Sequence, residues 1–105
     1  MYSFNDIKKY SHKIAEEFNP EKIILFGSAA RNKQNKNSDV DLMIIMDYEG
    51  RAVEQAFRIR KNIPPSFPID IFVRRPEQIN RRIKKGDFFI KEILEDGIVL
   101  YERAG

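Results

Sequence analysis

The sequence predicts a single α/β domain: a small mixed β-sheet with helices packed on it. Three observations carry this. Four short apolar runs, Ile23 to Phe26, Leu42 to Met46, Ile69 to Val73 and Ile98 to Tyr101, have strand length and β-forming residues. Other stretches place apolar residues at helical spacing. The chain of 105 residues, 42% of them hydrophobic, gives one domain spanning 1–105 a modest core.

In chain order, Ser3 to Phe18 reads as an amphipathic helix, with Ile7, Tyr10, Ile14 and Phe18 on one stripe and Ser3 with Asp6 as a capping box. Asn19-Pro20 ends it. His12, the one histidine, falls about 140° from Ile7 around the helix, on the solvated side. The first strand stops at Gly27-Ser28, and Ala29-Ala30-Arg31 begins a short helix. Asn32 to Asn37 is polar and turn-rich and reads as a mobile loop. The second strand opens with Asp39-Val40-Asp41. Asp47 is about 20 Å beyond Asp41 at strand rise, too far to share a ligand, and belongs to a turn with Tyr48-Glu49-Gly50.

Arg51 to Lys61 reads as a helix with Val53, Ala56 and Phe57 inward, followed by a proline-rich loop, Asn62 to Pro68. Ile69 to Val73 is the third strand. Pro76 to Lys85 is a helix with proline at its first position. Asp87 caps a last helix through Glu95, with Phe89, Ile90, Ile93 and Leu94 at helical spacing, and Gly97 stops it before the final strand.

The chemistry concentrates between Gly27 and Asp41. Side chains alternate along a strand, so Asp39 and Asp41 share a face. Two carboxylates about 4–5 Å apart repel by about 3–4 kcal/mol at an effective dielectric near 20. A cation in the gap offsets that, and oxygen-only ligands favour Mg²⁺ or Mn²⁺, with Mg²⁺ taking one or two carboxylates plus substrate phosphates. Gly27 allows close backbone approach, and Ser28 offers an amide and a hydroxyl to a phosphate. Arg31 reads either as a further cation for that phosphate, at the start of a short helix, or as a surface arginine. Asp70 interrupts an apolar strand, which is costly for a charge without a partner, and is read as the third carboxylate; the alternatives are an edge-strand residue in water or a salt bridge to one of the arginines. The plain alternative for Asp39 and Asp41 is a polar turn capping a strand.

Gly27-Ser28, ten residues, Asp39, one residue and Asp41 together resemble the signature of the DNA polymerase beta-like nucleotidyltransferases. The resemblance is strongest to the minimal nucleotidyltransferases, small proteins encoded beside HEPN-domain toxins. It extends to Pro68 to Val73, which is similar to the strand carrying the third carboxylate, and to Ile93 to Glu102, similar to the usual ending. It implies the polymerase beta-like fold, ATP as substrate held by Gly27 and Ser28, and two Mg²⁺ ions on Asp39, Asp41 and Asp70, the catalytic carboxylates. It further implies AMP transfer to a hydroxyl, a tyrosine of a partner HEPN toxin, with this chain as the antitoxin in a hetero-oligomer. The arginine that precedes the catalytic histidine of HEPN ribonucleases is missing four to six residues before His12, where this chain has Asp6, Ile7 and Lys8. Two other readings remain: an antitoxin acting by contact alone, against which the carboxylate set argues, and transfer to a small molecule, which in similar enzymes uses a second domain.

The absence of cysteine suits the cytoplasm, the expected location, and excludes disulfide and thiol chemistry. No apolar run approaches the ~20 residues that span a bilayer, and MYSFNDIKKY lacks the apolar core of a signal peptide. Net charge is +3, too mild by itself to argue for nucleic acid. The basic stretch 74–85, with Arg74, Arg75, Arg81, Arg82, Lys84 and Lys85, is expected to be a solvated face, with an acidic partner or RNA as the alternative; without interleaved aromatics, nucleic acid is the weaker of these.

Overall fold

The computed structural model describes residues 2–31 and 39–104, so the loop expected over Asn32 to Asn37 lies outside the described residues. The elements follow as α1 (Phe4–Phe18), β1 (Lys22–Phe26), α2 (Ser28–Arg31), β2 (Val40–Ile45), α3 (Ala52–Asn62), β3 (Ile69–Arg74), α4 (Pro76–Lys84), α5 (Phe88–Asp96) and β4 (Ile98–Glu102). The sheet order is β3-β2-β1-β4. β1 is antiparallel to β2 and β4, whereas β2 and β3 are parallel and joined through α3. This is the mixed α/β architecture expected from the sequence.

Alternation along the strands divides the apolar residues between two layers. Ile23, Leu25, Val40, Leu42, Ile44 and Val73 pack with Ile7, Tyr10 and Ile14 of α1 and Ile59 of α3. Ile24, Phe26, Met43 and Ile45 face the other way, against Ile79 of α4 and Ile90 and Ile93 of α5. Among the described residues no helix is long and apolar enough to cross a membrane.

Local signals set the boundaries. In α1 the Ser3 hydroxyl accepts from the Asp6 amide at 3.2 Å, and the Asp6 carboxylate accepts from the Ser3 amide at 2.8 Å. These bonds hold the Asp6 carboxyl below its ordinary range. The helix ends at Asn19 in the left-handed region, φ 48°, and His12 is exposed, as expected. In α5 the Asp87 carboxylate accepts from the Phe89 and Ile90 amides at 3.0 and 3.2 Å. Gly97 differs from the expected left-handed stop, since its φ is −72°. Its need is space: a Cβ there would meet the Ile93 carbonyl and come within 2.5 Å of the Ile24 side chain. The glycine lets the end of α5 press against β1.

Of the three residues expected inward on α3, Ala56 packs partly buried against the core, whereas Val53 and Phe57 do not. Val53 and Phe57 are 61% and 64% exposed, and Gln55 and Ile59 are the buried pair. Gln55 hid the inward stripe because it is polar. Its amide donates to the Met46 sulfur at 3.6 Å, and its carbonyl oxygen accepts from Arg58, so it is buried with its polar atoms satisfied.

Half of the basic stretch is tied down. Arg74 donates to the Val73 carbonyl at 2.7 Å, and Arg82 pairs with Asp87 at 3.1 Å. Arg75 donates to the Tyr48 and Gly50 carbonyls and lies 4.2 Å over the Tyr48 ring, clamping the β2–α3 turn. Arg81, Lys84 and Lys85 are exposed.

Candidate active site

The strand registers bring the candidate residues to one end of the sheet. Phe26, the last residue of β1, is opposite Asp41, and Asp41 is opposite Asp70. Leu25 is opposite Ile98, which brings Gly97 to the same end. Gly27 leaves β1 here with φ +78°, a conformation glycine adopts without the Cβ penalty.

Gly27 has a second constraint that the sequence did not disclose. A Cβ on it would lie 2.5 Å from Asp41 Oδ2. The sequence reading assigned the missing side chain to phosphate approach; in the structure it makes room first for the Asp41 carboxylate. The Gly27 carbonyl accepts from the Ala30 and Arg31 amides, each at 3.2 Å, which starts the short α2. Ser28 is exposed as the first residue of α2.

Asp41 is partly buried, whereas Asp39, one residue before β2, and Asp70 are exposed. The Asp41 carboxyl is raised above its ordinary range, first by loss of water, then by the charge of Asp70 and then by that of Asp39. Asp70 across the parallel pair therefore outweighs Asp39, the neighbour that the sequence motif emphasises. The desolvation argument for Asp70 does not hold, because β3 is an edge strand and Asp70 meets water. Its exposure is that of the edge-strand alternative, and its link to Asp41 is the register of the parallel pair.

Three converging aspartates were expected; among the described residues no three acidic, histidine or cysteine side chains are grouped closely enough to hold a metal ion. The fit to a divalent cation rests on a smaller set. Asp41 and Asp70 are register partners with oxygen donors, their like charges favour a cation, and Mg²⁺ is commonly held by one or two carboxylates with phosphate and water completing its shell.

Beside Asp41 opens a cleft of about 460 Å³ between the sheet and α5. Gly27, Arg31 and Asp41 line it, together with Phe26, Phe72 and Phe89. Glu92 and Asp96 of α5 also border it, and neither was singled out in the sequence, where they read as the polar side of a helix. Arg31 is exposed at the surface and also lines the cleft, pairing with Glu92 at 3.7 Å. An ion pair this exposed contributes about 0–1 kcal/mol, so Arg31 can exchange it for a bound anion at little cost.

The Gly-Ser turn and the aspartates of the sequence motif thus meet at one end of a mixed sheet. Residues 6–104 match the family described as "Polymerase beta, Nucleotidyltransferase", and the chain belongs to that family. Among solved structures it is similar to a "putative nucleotidyltransferase" from Sulfolobus solfataricus, with a TM-score of 0.65 and 19% identity over 94% of this chain and 79% of that one. At that identity the likeness supports the fold. No curated protein matches the sequence significantly.

Proposed function

We propose that the chain transfers AMP from ATP to a hydroxyl group on a partner protein, a tyrosine of a HEPN-type toxin, and thereby acts as its antitoxin. The observation that carries the chemistry is the Asp41–Asp70 register beside Gly27. Family membership supports nucleotidyl transfer in general. The acceptor and the antitoxin role rest on the sequence resemblance to minimal nucleotidyltransferases.

In this reading the Gly27 turn and Ser28 hold the triphosphate, and Arg31 releases Glu92 to join them. Asp41 and Asp70, with Asp39 alongside, would hold Mg²⁺. Bound there with the triphosphate, the cation supplies neutralisation of the charge that grows on the phosphate oxygens. Asp70, exposed on the edge strand, is the carboxylate that an incoming protein can reach. It accepts the proton of the acceptor hydroxyl as that oxygen bonds to the α-phosphorus. The bond between the α-phosphorus and the bridging oxygen breaks, and pyrophosphate leaves with its electrons.

The test is to read the neighbouring reading frame for a HEPN-type protein, incubate the two chains with ATP and Mg²⁺ and measure the partner's intact mass. Addition of AMP units on a tyrosine is expected, and Asp70→Asn should abolish it. A partner inhibited without a mass change would replace this reading with neutralisation by contact.

A further inference from the structure

The cleft beside Asp41 is lined by two chemically different groups. Gly27, Asp41 and Arg31 are the polar one. The other is aromatic: the buried Phe26 ring stands 5.6 Å from Phe72 and 5.9 Å from Phe89, centroid to centroid. Phe72 is 36% exposed and Phe89 57%, so the cleft wall presents two partly bare rings to water. Apolar rings left open inside a concave site mark a surface that a ligand covers.

The rings come from three elements. Phe26 ends β1, Phe72 follows Asp70 by two positions on the same face of β3, and Phe89 is in the first turn of α5. Asp87 fixes that turn by accepting from the Phe89 and Ile90 amides, which holds Phe89 over the sheet while Ile90 is buried. The wall is thus positioned by the strand register, by the Asp87 bonds at the start of α5 and by the core cluster that Phe26 joins with Ile90 and Ile93. Glu92 and Asp96, one helical turn apart on α5, add carboxylate acceptors at the same border.

We infer that the Phe26–Phe72–Phe89 wall of the cleft is a nucleobase subsite, in which the base lies against Phe72 and Phe89 while its phosphates reach Gly27 and Asp41. This rests on the nucleotidyl-transfer reading above and adds to it the site that distinguishes a nucleotide from a bare polyphosphate. Stacking on a phenylalanine tolerates any base, because every base has a π-face. The acceptors of Glu92 and Asp96 suit ring amines or ribose hydroxyls, which polyphosphate lacks.

The experiment is a calorimetric titration of ATP and, separately, inorganic tripolyphosphate, both with Mg²⁺, into the wild type, Phe89→Ala, Phe72→Ala and Phe89→Trp. Loss of one stacked ring should weaken ATP binding by roughly 5- to 140-fold. Tripolyphosphate binding should stay within about twofold, and Phe89→Trp should restore the ATP affinity. ATP affinity unchanged in both alanine variants would overturn the subsite and leave the nucleotidyl-transfer reading standing. Equal weakening of ATP and tripolyphosphate would also overturn it, by assigning the rings to the fold. A wild type that binds tripolyphosphate but not ATP more tightly would show that the base makes no contact. One that binds neither would remove the nucleotidyl-transfer reading itself.

Discussion

Along β2 successive residues enter opposite environments. Val40, Leu42 and Ile44 face α1 and α3 and are fully buried. Asp41, Met43 and Ile45 face α4 and α5, where Met43 and Ile45 are covered but Asp41 borders an open cleft. The α1–α3 face is closed by continuous apolar packing and by a long-range bond from the Tyr10 hydroxyl to the Ile63 carbonyl at 2.7 Å. The α4–α5 face closes only over part of the sheet and stops short at the end where Gly27, Asp41 and Asp70 meet. The closed face contributes stability that lets the open end hold like charges and bare rings. One strand can do both because its period is two.

The sharpest way to break that comparison is to neutralise the open face. Asp41→Asn should reduce kcat/KM for nucleotidyl transfer by about 10³-fold or more, since a carboxylate that seats a catalytic cation supports several kcal/mol of charge stabilisation. The same change should raise the melting temperature at pH 7. The sign follows from the raised Asp41 carboxyl. The folded chain holds that proton more tightly than the unfolded one, so stability is lost as pH rises through the carboxylate range, from about 3.9 upward. The advantage of Asp41→Asn should therefore be present at pH 7 and vanish near pH 3.5. A variant less stable than wild type at pH 7 would show that the Asp41 charge is compensated. Full retained transfer would remove Asp41 from the chemistry.

The closed face should respond in the opposite way. Ile44→Ala removes a fully buried side chain and should cost about 2–5 kcal/mol. For a domain of this size that lowers the melting temperature by about 4–8 °C per kcal/mol. Transfer per folded molecule should persist, because Ile44 faces away from Asp41. Thermal unfolding and an activity measurement well below the transition separate the two effects.

At the boundary between the faces stands Gly27. Gly27→Val should both strain the turn, at about 1–3 kcal/mol, and displace the Asp41 carboxylate, whose Oδ2 lies 2.5 Å from where the Cβ would stand. Ser28→Ala deletes one hydroxyl and leaves the amide, so it should cost about 1.5–3 kcal/mol in kcat/KM at most and nothing measurable in stability. A larger kcat/KM loss in Ser28→Ala than in Gly27→Val would mean that the turn matters through its hydroxyl and not through the room it makes for Asp41.

Much of this was legible in the sequence because it is local. Short apolar runs located the four strands of the sheet, and Ser3, Asn19-Pro20, Pro76 and Asp87 marked helix ends through caps and turns acting over three or four residues. The Gly-Ser and Asp-x-Asp spacing pointed to residues that the fold brings to one end of the sheet. What the sequence could not disclose is long-range. That Asp70 is paired in register with Asp41, and outweighs Asp39 electrostatically, depends on the parallel β2–β3 pairing. That Phe26, Phe72 and Phe89 share a wall depends on three elements far apart in the chain. Phe89 lies on the apolar stripe of α5, which made it read as core. Gly97 carried the composition of a helix stop, but its reason is the closeness of the Ile93 carbonyl and the Ile24 side chain.

The smallest effect should come from the helix whose rotation the sequence misled. A reader of periodicity takes Val53, Ala56 and Phe57 as the inward stripe of α3, because Gln55 interrupts the alternative. The structure turns the helix so that Gln55 and Ile59 are buried, and Phe57 lies two residues, about 200°, from each. Phe57→Ser should then change stability by no more than about 0.5 kcal/mol, as for a surface position without special contacts. Ile59→Ala, fully buried against the closed face, should cost about 2–5 kcal/mol. Chemical denaturation of the two variants side by side distinguishes the rotations without a new structure. If Phe57→Ser were the more costly, α3 would present the face that its apolar spacing suggests. The closed layer over β2 and β3 would then be built from different residues than Ile59 and Gln55.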